Sequence, residues 1–248
     1  KEVRGVARTW IAVLTAALVL SLAAPGLAQF DVKAQLTYGG TSYSSLLDKE
    51  TKGSVSEWSV LALGTYSHQD LLFNVLYQNA NRLNMTVNEV EEKSTHGRSF
   101  ANLGASYRFL QETGMEVYGG LGYSLMWLNL KHSAVRDNAQ VGLAGRGFSG
   151  QAAVRFTLAE NFSADAYFTA APWLKWEYTQ GNKSIKQIDG SAYHYQLGLE
   201  YDVTAQYSVR LGVQGGSYSV GEFKYDADEL GPTSAGYSGV TVGVTVHF

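Results

Sequence analysis

The 248-residue chain carries 19 Lys+Arg against 22 Asp+Glu, a formal net charge of −3, and has no cysteine. That balance argues against a nucleic-acid partner, and the missing thiols exclude disulfides, thiolate metal sites and cysteine nucleophiles. Glycine (27) and tyrosine (16) are abundant, proline (3) is scarce, and no long 3.6-residue periodicity is present, which points to an all-β chain.

Residues 1–28 read as a cleavable secretory signal. A basic start (Lys1, Arg4, Arg8) precedes an apolar run from Trp10 to Ala24, and Gly26 and Ala28 supply the small side chains expected before a cleavage site. The run is shorter than the roughly 20 residues of a spanning helix. Residues 29–248 then form one mature domain. Losing the leader's three cations and Glu2 takes the formal charge from −3 to −5.

Ten stretches after the leader place apolar residues at every second position, the period of a strand. They cover about 31–43, 56–67, 70–80, 99–110, 115–130, 147–158, 162–178, 191–202, 206–219 and 237–248. The connections alternate in length. Those around 44–55, 81–98, 131–146, 179–190 and 220–236 are long and polar, whereas those around 67–70, 111–114, 159–161 and 202–205 are only a few residues. A transmembrane barrel accounts for that rhythm, with tight periplasmic turns, longer outward loops and an even strand number. The other parity is polar (Lys33, Gln35, Thr37; Asn102, Ser106, Arg108; His194, Gln196, Glu200), so the apolar parity should face lipid and the polar parity the lumen. Trp58, Trp127, Trp173 and Trp176 fall at loop-side strand ends. Tyr66, Tyr107, Phe109, Phe156, Phe162, Tyr201, Tyr207 and Phe248 fall at turn-side ends, as interfacial girdles would.

As a pattern over the whole mature chain, the sequence resembles the bacterial outer-membrane β-barrel proteins, the small OmpA-like and OmpX-like barrels, with a strand count similar to the omptins. The resemblance implies a closed antiparallel up-and-down barrel of about ten strands in the Gram-negative outer membrane. It also implies periplasmic termini, extracellular long loops, and contact with outer-membrane lipid and lipopolysaccharide. The final strand, "GVTVGVTVHF", looks like the signal read by the barrel-assembly machinery, with Phe248 as its key residue and Val246 and Val244 at alternate positions before it.

Symmetry about the short turns brings opposite charges together on the inward parity: Arg108 with Glu116, Arg155 with Asp165, and Glu200 with Arg210. These predict a charged belt across the periplasmic half of the lumen, plugging it. Inward Leu61, Leu63, Leu72 and Leu76 predict an apolar sector, and Gly120 and Gly122 room for a neighbouring side chain. His247 is expected near Lys33 of the first strand. His96 and His132 fall in the long loops, and no acidic and Asp–His pairs have the spacing an omptin-like protease would need. The remaining enzymatic candidate is His194 with Glu177 at the outer rim. No catalytic residue, cofactor or metal is assigned, and "YDADEL" (Asp226, Asp228, Glu229) reads as a solvated acidic loop tip. The expected role is structural or surface-interactive. The alternatives are a narrow, porin-like channel for small solutes and an outer-rim enzyme.

Overall fold

The computed structural model describes residues 28–47, 49–92, 94–134, 140–225 and 228–248. The expected signal, residues 1–27 of the predicted 1–28, lies outside the described residues, as does Asp226. Ten long strands close into one antiparallel barrel: β1 (Ala28–Ser45), β2 (Gly53–His68), β3 (Leu71–Val87), β5 (Thr95–Glu112), β6 (Met115–Lys131), β7 (Val141–Ala159), β8 (Phe162–Gln180), β9 (Lys183–Asp202), β10 (Tyr207–Val220) and β13 (Thr233–His247). Each pairs with its chain neighbours, and β1 pairs with β13 to complete the circle. Short strands β4 (Val90–Glu92), β11 (Phe223–Tyr225) and β12 (Asp228–Leu230) lie at the loop end. At the seam Asp31 faces His247 and Lys33 faces Thr245. The Phe248 N–H donates to the Phe30 carbonyl at 2.9 Å, and the two rings stand 5.7 Å apart. Closure removes the unpaired edge that an open sheet would expose to hydrocarbon.

The outer surface is divided by height. Over the turn-side half it is apolar: Trp58 and Val60 on β2, Leu121 and Tyr123 on β6, Leu197, Leu199 and Tyr201 on β9, and Val240, Val242 and Val244 on β13 are all exposed. This band circles the barrel, and exposed aromatics stand at both of its margins. Tyr38, Trp58, Trp127, Trp173 and Tyr193 lie on the loop side, and Tyr107, Phe109, Tyr201, Tyr207 and Phe248 on the turn side. Trp58 to Tyr66 and Tyr193 to Tyr201 each span nine residues, close to the 9–11 that a tilted strand needs to cross hydrocarbon.

Above that band the strands do not stop. Much of each segment expected to be a long polar loop is wall. β8 and β9 run to a tight turn at Gly181 and Asn182, with Gly181 at φ +58°. β3 continues to Val87 and turns back through Asn88 and Glu89, both at positive φ, as a two-residue hairpin turn requires. Sequence alternation conceals this because its meaning reverses. In β6 the outward residues change from Leu121, Tyr123 and Trp127 to Asn129 and Lys131, while the inward residues change from Gly122 and Ser124 to Met126, Leu128 and Leu130. The turn-side half is apolar outside and polar inside; the loop-side half is the reverse, as in a water-soluble barrel.

One strand also changes parity. Ala171 pairs with Ala192 and Leu174 with Gly190, so β8 spends three steps where β9 spends two. The extra residue forms a bulge at Pro172–Trp173, a position where the missing proline N–H costs no ladder bond. Trp173 stays outside, but Trp176 is turned inward and is 1% exposed. The expectation of Trp176 in the outer girdle is therefore corrected by the bulge. Trp176 lies across Gly145 and Gly190, where any Cβ would collide with its indole.

Candidate functional site in the barrel lumen

The lumen is filled in layers. At the turn end lies a charged layer. Arg210, 4% exposed, donates to both carboxylate oxygens of Asp165, at 2.9 Å for Nη2–Oδ2. Lys33 bridges Asp165 (3.6 Å) and Glu200 (3.2 Å), and Thr245 donates to Glu200 at 2.7 Å. Gly198 allows this arrangement: a methyl there would overlap the Arg210 guanidinium. Arg108 binds Asp70 at 2.8 Å and Glu116 at 2.6 Å.

The six residues chosen from turn symmetry are thus all in this layer; Arg108–Glu116 and Arg210–Glu200 are ion pairs, and Asp165 is bound by Arg210 and Lys33 instead of Arg155. A bulge at Phe109 moves Arg108 opposite Tyr118, so its bond to Glu116 is diagonal. Glu200 faces Arg210 in register, but the guanidinium reaches past it to Asp165 and remains 3.7 Å from Glu200. Arg155 faces both Glu116 and Asp165 in register, and among the described residues it makes no ion pair within 4 Å. His247 lies opposite Asp31, and its Nδ1 is 2.8 Å from the Asp31 carboxylate.

Above the charges is a layer of amides and hydroxyls. Asn74, Asn102, Gln151 and Tyr167 bond to one another at 2.9–3.2 Å, and Gln214 reaches Thr37 and Ser59. Leu61, Leu63 and Leu76 fill the sector beside β2 and β3, where the sequence predicts an apolar patch. Gly120 lies against the Ser106 backbone, and Gly122 against Asn102 and Ser149.

The third layer is a buried ion pair in an aromatic cage. Arg98, 1% exposed, donates to Glu57 and, at 2.9 Å, to Gln78, and its guanidinium lies 3.6 Å over the Tyr237 ring. Tyr43 bonds His96 Nε2 at 2.8 Å and accepts from Tyr218 at 2.9 Å. His194 bonds Tyr237 at 3.0 Å and Gln196 at 3.2 Å. A cavity of about 10 Å³ lies among Glu57, Arg98, Gln214 and Tyr237, about the size of one water.

The last layer is an apolar cap inside the protruding wall. Leu128, Leu130, Val141, Trp176 and Tyr178 are at most 1% exposed, and Phe223, Tyr225 and Leu230 of the β11–β12 hairpin close over them. Fully burying each large apolar side chain is worth roughly 1.5–3 kcal/mol.

The structure separates the two residues of the outer-rim candidate. His194 is wholly buried in the lumen, whereas the bulge places Glu177 on the outer face beside Lys186 at 3.8 Å. His96 and His132, expected in loops, are buried at 2% and 0% exposure. The sequence reading missed the Glu57–Arg98 pair because it treats residues 81–98 as loop. It also missed that Asp31, Asp202 and Ser208 converge on His247, an arrangement created by closing β13 on β1.

A ten-stranded closed antiparallel barrel with an encircling apolar belt and a polar interior has the fold of the small outer-membrane β-barrel proteins. The outer membrane protease OmpT from Escherichia coli is similar over 90% of this chain and 97% of its own, with a TM-score of 0.55 at 10% identity. Looser likenesses are the translocator domain of the autotransporter NalP from Neisseria meningitidis (TM-score 0.48, 12% identity, 98% of this chain and 96% of that one) and Neisserial surface protein A (TM-score 0.41, 16% identity, 88% and 97%). The sequence matches no family model and no curated relative.

Proposed function

We propose that the chain is a non-conducting outer-membrane barrel whose role is structural or surface-interactive, presented by the protruding wall and its capping hairpins. The observation that supports this most directly is the filled lumen: four successive layers of side chains cross it, and most of them are fully buried. The tight turns and both described strand ends face the periplasm in this reading. The polar wall, with Lys186, Lys175 and Asp189 on its outer face, faces outward past the lipopolysaccharide. Phe248, with Val246 and Val244 before it, serves as the assembly signal for the barrel-assembly machinery. An enzymatic role like that named for OmpT has less support, because His194 and Glu177 do not meet.

The lack of cysteine gives a clean test of placement. Lys186→Cys on the wall and His68→Cys at the turn end would each be expressed in a Gram-negative host and treated, in intact cells, with a membrane-impermeant maleimide. Labelling of position 186 alone is expected. Labelling of position 68 but not 186 would reverse the orientation, and labelling of neither without outer-membrane fractionation would remove the reading.

A further inference from the structure

The groups around His247 at the turn end form a set that the lumen packing does not explain. The Asp31 carboxylate can only accept from His247 Nδ1, so that nitrogen carries a proton, and Nε2 is left to share one with Ser208 Oγ at 2.7 Å or to offer its lone pair to a cation. Nε2 faces Glu200 Oε1 and Asp202 Oδ1, each at 3.9 Å. The three candidate donor atoms lie within 4.8 Å of one another. Glu200 is 1% exposed, its Oε2 is taken by Lys33 and Thr245, and its Oε1 has no hydrogen-bond partner. A buried carboxylate oxygen with no donor of its own, beside a second carboxylate, is unfavourable unless a cation joins them. Among the described residues, Asp31, Asp165, Glu200 and Asp202 have Lys33 and Arg210 as their Lys or Arg partners within 4 Å, with Arg155 in register beside Asp165, which leaves a formal surplus of one negative charge when Arg155 is counted and two when it is not.

The same atoms include the connectivity of a catalytic triad, since Ser208 Oγ is 2.7 Å from His247 Nε2. The surroundings oppose that use. Ser208 is 1% exposed and also lies 2.6 Å from Asp202 Oδ1, to which it donates. Charge developing on an oxyanion at Ser208 would face the carboxylates of Glu200 and Asp202, where catalysis needs hydrogen-bond donors. The field suits a cation.

We infer that Glu200, Asp202 and His247 form a divalent transition-metal site, of a kind suited to Zn²⁺, with Asp31 orienting the histidine from behind. One imidazole and two carboxylates are a borderline N/O donor set, and a carboxylate on the far ring nitrogen is the usual outer partner of a metal-bound histidine. Donor atoms around a tetrahedral Zn²⁺ stand roughly 3.4 Å apart, so closure needs about 0.5 Å along each of the two 3.9 Å separations from Nε2 and up to about 1.4 Å between the two carboxylate oxygens, which lie within 4.8 Å. The ligands come from β9 and β13 and the orienting residue from β1, so the ion would tie the seam across three strands.

The test is calorimetric titration of zinc chloride into the untagged full chain refolded in detergent. One ion per barrel is expected. Binding should be lost in His247→Gln and weakened about ten- to a hundredfold in Asp31→Asn. His68→Gln, at the same end, should leave it unchanged. If His247→Gln fails to fold, Asp202→Asn carries the same criterion. Absence of binding in the native chain, equal binding in the ligand variants, or loss of binding in His68→Gln would overturn the site. So would labelling of Ser208 by a fluorophosphonate that is abolished in Ser208→Ala.

Discussion

Replacing Arg98 by alanine distinguishes a filled lumen from a wet one. In a water-filled lumen the Glu57–Arg98 pair would be a solvated bridge worth about 0–1 kcal/mol. In the structure Arg98 is 1% and Glu57 4% exposed. Arg98 also holds Gln78 and covers Tyr237, and Glu57 Oε2 already lacks a hydrogen-bond partner. Arg98→Ala strands that carboxylate, with His96 Nδ1 at 3.8 Å as the nearest cationic candidate. Removing one partner of a buried pair costs about 3–5 kcal/mol, or roughly 150- to 4,000-fold in the folding equilibrium. The double variant Glu57→Leu/Arg98→Met keeps the volume and strands no charge, so it should recover most of that loss. Equilibrium urea unfolding in detergent or thin-bilayer vesicles measures all the variants, including Glu57→Leu alone. If Arg98→Ala costs under 1 kcal/mol, or the two single losses simply add, the pair is solvated and the layered-plug account is wrong.

Three further outcomes follow from particular contacts. Deleting Trp173 removes only the extra residue of the β8 bulge and leaves Leu174 opposite Gly190 and Trp176 facing inward, so the heat-modifiable folded band on gels should persist, whereas deleting Lys175 should turn Trp176 and Tyr178 outward and reduce it sharply; equal folding of the two deletions would contradict the parity change. Gly198→Val places a branched side chain where the Arg210 guanidinium lies. It should break the Arg210–Asp165 contact and cost several kcal/mol, in line with overpacking of a tight interior. Asp165→Asn should then add little in that background. Phe248→Ala loses one aromatic contact with Phe30, about 0.5–1.5 kcal/mol. If Phe248 is also the assembly signal, the barrel recovered from cells should drop by much more than that stability loss explains, whereas a matched drop would make the residue purely structural.

How much could be read in the sequence depended on the height of a residue in the wall. In the membrane band the alternation is unambiguous, because Val240, Val242 and Val244 or Leu197 and Leu199 face lipid opposite threonine, glycine or glutamine, and those strands and their turns were legible. Above the band, Leu128, Leu130 and Ile188 alternate with Asn129, Lys131 and Asp189 in the opposite sense, and a single parity rule stops at 130 and reads 179–190 as loop. Bulges at Pro172–Trp173 and Phe109 shift facing by one residue, and hydrophobicity alone cannot register an inserted residue. The charged layer was legible as a set of residues because symmetry about a short turn fixes which side chains share a height. Its partners were legible only in part, because an arginine reaches past its cross-strand neighbour, as Arg210 does to Asp165. The His247 cluster needed closure of β13 on β1 before Asp31 and Asp202 could be placed beside it.

The central claim is that the lumen is closed by its own side chains, and planar-bilayer recording of the purified native chain tests it most directly. The filled layers from Arg210 to Trp176 are expected to give silent membranes across the voltage range. Stable single-channel steps of uniform size, reproducible between preparations, would contradict a plugged barrel and favour a channel.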